Sequence, residues 1–555
     1  MSKLIGRECK FVIHLPEVKG LRDDTHFIKE VLHYDDKTTK INLQTIKNFK
    51  RPFYVTKPHF QNHKQKKEFE LESRVNTYYS TQSRLANNIA VRIGKNGYFK
   101  NSMRDVVDNQ FLYGVDIKSS SIIKKIYQEK YPDCNTESTV CALDIENDID
   151  TGVISIISIA MYDKLYTVIN KSLVDGIKDI DTKLKDLYDK WMPDTDIING
   201  CVTREYDIFD NELELVMNIF KKVHEWQPDF LAIWNINYDL PVMMRVLDKY
   251  GVKHEDVFSD PSLPDEFKYF RYKEGQKQRV TESGRVMAIN PEQQWHYAYC
   301  TSSFIFIDAM CAYSYVRVGQ AAVPGGYGLD NVLRHNKINT KLKFDDDSKY
   351  KGADWHKYMV KNKPLEYIIY NQYDILSMLE LENKTKDLTT SLPILAGISD
   401  FDIFNSGPKK IVDGLHFFYL QNKRVLGTKP SKIVDDKVLG LDNWIITLPA
   451  YRLIDNGIKC IAEDGDIQTN IRCHVYDIDA VSSYPSDGVA CNISKQTTKK
   501  EIVSIKGKRK EDFMYDNINL FSGAVNSVEY CTSMFNFPQL IDLAEEIKKE
   551  VTIEE

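Results

Sequence analysis

One stretch leaves little freedom of local fold. Cys141-Ala142-Leu143-Asp144-Ile145-Glu146-Asn147-Asp148 is an apolar run that ends on carboxylates spaced Asp-x-Glu. A turn signal follows at Asp150-Thr151-Gly152, and a second apolar run extends from Val153 to Met161, broken only by Ser155 and Ser158. The pattern predicts strand, turn, strand. On a strand, residues i and i+2 share a face, so Asp144 and Glu146 project together while Leu143 and Ile145 point the other way. Two carboxylates held that close repel unless a cation lies between them, and hard oxygen ligands suit Mg²⁺ or Mn²⁺. In a chain with 80 acidic residues the pair by itself is weak grounds for a site. Its value depends on what the remaining residues bring to it.

The chain has 555 residues, too many for a single core, so several domains are expected. At 42% hydrophobic and 28% charged it reads as a soluble globular protein. With a formal net charge of −6, contact with nucleic acid would have to use local basic grooves. No apolar run approaches the roughly 18 residues of a membrane span, and the N-terminus lacks a signal-peptide core. Ten cysteines include no Cys-x-x-Cys pair, which argues against a zinc ribbon or disulfide scaffold and for a reducing interior.

Residues up to about 138 read as mixed strand and helix, with strands at Phe11–His14 and Phe53–Thr56. Lys57–Lys67 is basic, with His59 and His63 at helical i, i+4 spacing, which suits an exposed polar helix better than a metal site. Asp163–Asn199 reads as a charged helical insert, with Leu184, Leu187 and Trp191 on one face. Leu213–Trp226 is a second amphipathic helix. The run Phe230-Leu231-Ala232-Ile233-Trp234 predicts a buried strand, followed by Asn235-Ile236-Asn237-Tyr238-Asp239-Leu240-Pro241. Pro241 suits the first position of a helix, which places Asp239 at the strand-to-helix junction, as a site residue or simply a cap. A turn signal at Glu282–Arg285, flanked by Val280 and Val286, predicts a β-hairpin. Phe304–Asp308 is another buried strand. Gly325-Gly326-Tyr327-Gly328 opens a helix ending near Lys337, and no Lys-Ser/Thr follows to make a triphosphate loop. Pro364–Asn383 is helical and puts Tyr370 and Asp374 on one face, either to share a metal-bound water or merely as a buried phenol beside a carboxylate. Further on come a helix at Ile411–Gln421, a strand-rich stretch at Val434–Lys459, a basic run at Lys506–Lys510 and an acidic helix at Leu540–Glu550.

Three acidic motifs now stand in order: Asp144-x-Glu146, then Asn235 with Tyr238-Asp239, then Tyr370-x-x-x-Asp374. They resemble the three exonuclease motifs of family B DNA polymerases. Asp479-Ala480-Val481-Ser482-Ser483-Tyr484-Pro485-Ser486 is similar to the first polymerase motif of that family, usually Asp-x-x-Ser-Leu-Tyr-Pro-Ser. The likeness is greatest to the replicative polymerases of T-even-like tailed bacteriophages, and it is least marked before residue 140. It implies an α/β and α+β multidomain chain: an N-terminal domain at 1–138, a ribonuclease-H-like 3′→5′ exonuclease domain at 139–386, a return to the N-terminal domain at 387–440, and a partial palm with the start of the fingers at 441–555. It further implies two Mg²⁺ ions, or Mn²⁺, in the exonuclease site. Asp144 would bridge them, Glu146 and Asp374 would complete one site, Asp239 would serve the other, and Tyr370 would orient the attacking water. Asn235 and Tyr238 would touch the DNA 3′ end, Asp479 would bind a polymerase metal, and Ser482, Ser483 and Tyr484 would meet the incoming nucleotide.

The sequence also departs from the family. Ser483 stands where Leu is usual. The glycine-rich link before the palm is not recognisable near Leu448–Tyr451. Neither the Lys-x-x-x-Asn-Ser-x-Tyr-Gly helix nor the Tyr-x-Asp-Thr-Asp-Ser strand of the second and third polymerase motifs occurs. The expectation is therefore the N-terminal subunit of a split polymerase. A second chain would carry the remaining palm, fingers and thumb. Primer-template DNA and its single-stranded 3′ end would be the substrate, a sliding clamp a further partner, and the cytoplasm of an infected bacterium the setting. The alternatives are a scaffold fragment that grips DNA and partner without turnover, and a truncated product.

Overall fold

The computed structural model describes residues 2–427 apart from 65, 96–101, 193–202, 277, 281–284, 339–341, 343, 345–348 and 405–406, together with 514, 515, 518 and 519. The chain forms two compact units, Met1–Lys429 and Pro430–Glu555. In the second, Met514–Tyr515 pairs antiparallel with Ile518–Asn519. Asp479, Ser482, Ser483 and Tyr484, the basic run Lys506–Lys510 and the C-terminal helix expected at Leu540–Glu550 lie outside the described residues.

The first unit is organised by a six-stranded mixed sheet. Its strands, in chain order, are β1 (Val140–Asn147), β2 (Ile154–Met161), β3 (Lys164–Asn170), β4 (Thr203–Phe209), β5 (Phe230–Ile233) and β6 (Ile305–Asp308). Their spatial order is β4-β3-β2-β1-β5-β6. β2 runs antiparallel to β1 and β3, whereas β5 is parallel to β1 and to β6. Leaving aside the edge strand β4, five strands in the order 3-2-1-4-5 with only the second reversed are consistent with a ribonuclease-H-like fold. The β1–β2 hairpin closes where the notation Asp-Thr-Gly predicts: Gly152 has φ +71, open to glycine at no steric cost, and the Asp148 carboxylate accepts the Asp150 and Thr151 N–H groups.

Strand parity divides the core in two. Cys141, Leu143 and Ile145 face a layer built from α1 (Glu212–Trp226) and α2 (Ile236–Lys249). Val140 and Ala142 face the opposite layer, dominated by the 22-residue helix α5 (Pro364–Thr385). Between these come α3 (Ala309–Val316) and α4 (Ala353–Asn362). Asp144 and Glu146 share the parity of Val140 and Ala142, so they are turned toward α5. A buried polar link fixes the register of α5 on the sheet: Gln372 Nε2 donates to Thr167 Oγ1 at 2.9 Å, which meets Ser158 Oγ at 2.9 Å.

The N-terminal segment adds an antiparallel meander, Leu4–Leu15, Thr25–Tyr34 and Thr39–Lys47, and a smaller sheet centred on Arg51–Thr56. Arg424–Leu426 pairs antiparallel with Phe69–Leu71. The meander is tied to the central sheet through Lys29, fully buried, whose Nζ lies 2.6 Å from Asp229 Oδ1 and donates to the carbonyls of Gln227 and Pro228. Burial pulls the Lys29 ammonium below its usual range, and the Asp229 charge opposes that shift. No helix among the described residues is long and apolar enough to cross a membrane.

Three local expectations need correction. Lys164–Asn170 is a strand, not part of a helical insert: Leu165, Tyr166, Val168 and Ile169 are buried between β2 and β4, and helix follows only as a single turn at Lys171–Val174 and then at Ile180–Trp191. Its β-branched and aromatic residues suit a pleated surface better than a helix. Among the described residues of Lys57–Lys67 only a 3₁₀ turn at Pro58–Phe60 forms in place of a helix, and His63 packs edge-on against Phe111. Pro241 lies inside α2, which begins at Ile236, so Asp239 belongs to the first helical turn and not to a preceding loop. Burial of Ile236, Leu240, Met243 and Leu247 against the sheet starts the helix early, and the missing proline N–H removes one bond near its N-terminus.

Candidate active site

The site forms at the carboxyl end of β1. β5 ends at Ile233, level with Leu143, one residue before Asp144. The chain then turns through Trp234 and Asn235 into α2, whose first turn sets Asp239 beside the end of β1. From the other layer, α5 lowers Tyr370 and Asp374 onto the same place. The result is a cleft of about 320 Å³ lined by Asp144, Glu146, Asn235, Tyr238, Asp239, Tyr370 and Asp374.

Carboxylate oxygens of Asp144, Glu146 and Asp374 lie within 4.8 Å of one another. Asp239 shares the cleft but stands outside that closest group, and it is only 4% exposed. Burial first, and then the charges of Glu146 and Asp308, raise its carboxyl well above the ordinary range. A buried carboxyl facing other carboxylates is held against its own ionisation, and a divalent cation would relieve that repulsion. All-oxygen donors of this kind fit Mg²⁺ or Mn²⁺.

The carboxylates are also aimed. Asn371 Nδ2 donates to Asp144 Oδ2 at 2.8 Å, and the Tyr367 hydroxyl donates to Glu146 Oε2 at 2.6 Å. His356 Nδ1 lies 2.8 Å from the Tyr367 hydroxyl and 3.4 Å from Glu146 Oε2. The Tyr367 and Tyr370 rings stack at 6.2 Å, and Trp355 meets Tyr370 edge-on at 4.9 Å. Tyr238, 47% exposed, donates to Asn147 Oδ1 at 2.7 Å across the mouth of the cleft. Tyr367, Asn371 and His356 escaped the sequence reading. Tyr367, Asn371 and Asp374 recur at i, i+4 and i+7, a helical face that could have exposed the first two. Nothing local marks His356, which arrives on α4.

Residues 93–288 match the family model for the exonuclease domain of DNA polymerase family B. The matched segment is just over a third of the chain and contains Asp144, Glu146, Asn235, Tyr238 and Asp239; Tyr370 and Asp374 lie beyond it. No curated protein matches the chain. A nuclease domain of the family B polymerase kind, with DNA as its expected substrate and divalent metals as its expected cofactors, is thus what this part of the chain is similar to.

Proposed function

We propose that the chain is a 3′→5′ exonuclease on DNA and the N-terminal subunit of a split family B polymerase. The observation that carries the first part is the convergence of Asp144, Glu146 and Asp374, with Asp239 beside them, in one cleft overlapping the matched segment. Asp144, Glu146 and Asp374 would hold one divalent cation, and Asp144 with Asp239 a second. When bound, such ions lower the pKa of water and stabilise charge on the phosphate oxygens and the leaving 3′-oxygen. The chain's own groups do the rest. Tyr367 and Asn371 hold Glu146 and Asp144 in position, the Tyr370 hydroxyl orients the attacking water, and Asn235 and Tyr238 flank the strand end.

The second part rests on resemblance. Asp479 would supply one carboxylate of a polymerase site, with Ser482, Ser483 and Tyr484 beneath the incoming nucleotide, and a second chain would supply the rest. The proposed domains are 1–138, 139–386, 387–440 and 441–555, and the pairing of Arg424–Leu426 with Phe69–Leu71 supports a return of the chain to the N-terminal domain.

The purified chain with Mg²⁺ should shorten 3′ single-stranded DNA. Asp144→Ala with Glu146→Ala should lower that rate roughly a thousandfold or more, since several kcal/mol of metal stabilisation is lost at about 1.4 kcal/mol per tenfold. Near-normal digestion by the folded double variant would sink the assignment. A wild-type chain that binds DNA but never cuts it would favour the scaffold alternative.

A further inference from the structure

A second cluster of metal-ligating side chains lies far in sequence from the acidic cleft. His14 and His26 are direct cross-strand partners in the N-terminal meander, and Asp24 sits just before the second of their strands. Such partners project to the same face with Cβ atoms about 5 Å apart, and the two imidazole centroids are 4.9 Å apart. One nitrogen from each ring and one Asp24 oxygen lie within 4.8 Å of one another.

The polar atoms inside this cluster are arranged as a cation would require. Asp24 Oδ1 and His26 Nδ1 are buried, and neither has a hydrogen-bond partner among the described residues. They face each other at 3.9 Å, beyond hydrogen-bond reach. The outer atoms are already engaged. His26 Nε2 meets Ser119 Oγ at 2.6 Å, and Asp24 Oδ2 accepts the Ser83 N–H at 2.6 Å and lies 3.1 Å from His14 Nε2. A ring whose Nε2–H donates to Ser119 turns the Nδ1 lone pair toward Asp24 Oδ1, so two acceptors point at one gap. Metal-bound histidines are oriented in this way by a partner on the far nitrogen.

We propose that His14, Asp24 and His26 form a metal site for Zn²⁺, separate from the carboxylate cleft and distinct from it in chemistry. Two imidazoles and one carboxylate are the donors of a Zn²⁺ site, whereas Mg²⁺ prefers oxygen alone. Bonds of about 2.0–2.2 Å demand ligand atoms closer together than the widest gap here. His14 can close it by rotation, because its side chain is 24% exposed while the other two are fully buried. The ion would pin the two meander strands to the Ser83 loop and to the helix Ser119–Lys130.

The test uses the full chain carrying Asp144→Ala and Glu146→Ala, stripped with a chelator and titrated with Zn²⁺ alone by calorimetry, then with Co²⁺ by visible absorption. One Zn²⁺ equivalent and a four-coordinate Co²⁺ spectrum are expected. Since loss of an outer-sphere partner alone costs about 10–100-fold in metal affinity, His26→Gln should cost roughly a hundredfold or more. His14→Gln, on the exposed edge of the cluster, should do likewise while the circular dichroism stays unchanged, and it decides the matter should changes at the buried positions prevent folding. Absence of a Zn²⁺ equivalent in the folded chain, or undiminished binding by folded His14→Gln, would overturn the proposal.

Discussion

Asp308 shows how one residue carries a structural duty and an electrostatic load together. Its Oδ1 accepts the Cys311 N–H at 2.9 Å and caps α3, while complete burial, outweighing that bond, raises its carboxyl from 3.8 to about 6. The folded chain therefore holds this proton more tightly than the unfolded one. The stability it contributes is full below about pH 4 and is lost as pH rises through about 6. Asp308→Asn keeps a cap and removes the ionisation. In urea unfolding with chelator present, the variant should be the more stable at about pH 7.5, by at most ~3 kcal/mol, and the two chains should converge below about pH 4. A variant less stable at the higher pH would mean that the charged form is compensated. The tyrosines of α5 separate by role in the same manner. Tyr367→Phe frees Glu146 from its 2.6 Å donor and should lower exonuclease kcat roughly ten- to a hundredfold, on the order of 1–3 kcal/mol. Tyr370→Phe should also fall well short of the carboxylate double variant. Loss equal to that of the double variant would remove Tyr370 from the role of water orienter.

At the scale of elements, the hairpin between β5 and β6 stands apart. Gln278–Val280 pairs with Val286–Ala288, and neither strand joins another sheet among the described residues. Val280 and Val286, opposite each other, are 67% and 56% exposed. Apolar side chains this exposed gain little from burial in the fold, and the prediction is that they meet DNA at the strand end, with Arg279 and Arg285 of the same hairpin near its phosphates. The expected turn Glu282-Ser283-Gly284 falls outside the described residues. Removal of residues 276–289 should slow digestion at duplex ends more than digestion of single strands. Equal slowing on both substrates would make the hairpin structural only.

At the scale of the molecule, the prediction concerns synthesis. A polymerase site needs carboxylates from two strands around its metal pair, and the sequence offers Asp479 without the Tyr-x-Asp-Thr-Asp-Ser strand. The chain by itself should extend no primer. Mixed with a second chain that carries the missing motifs, it should do so, and Asp479→Ala should abolish that extension while leaving exonuclease activity. If the Tyr484 ring excludes a ribose 2′-hydroxyl, Tyr484→Ala should relax the preference for deoxynucleotides. Extension by this chain alone, or none from a folded mixture, would overturn the split-polymerase proposal.

What the sequence by itself determined is what short-range periodicity controls. Alternation on β1 put Asp144 and Glu146 on one face, and helical spacing put Tyr370 and Asp374 on another, because both patterns depend only on neighbours within a turn or a pleat. Periodicity also misled where two patterns competed. The charged residues around Lys164–Asn170 masked a strand that burial between two others stabilises, and Pro241 suggested a helix start that the packing of Ile236 moved earlier. Only the tertiary structure decided that Asp374 comes within 4.8 Å of Asp144 and Glu146, that His356 backs Tyr367, and that His14, Asp24 and His26 converge. Each of these meetings follows from strand register and from the packing of a distant helix. Those are set by the burial of whole apolar faces, which no window of the sequence contains.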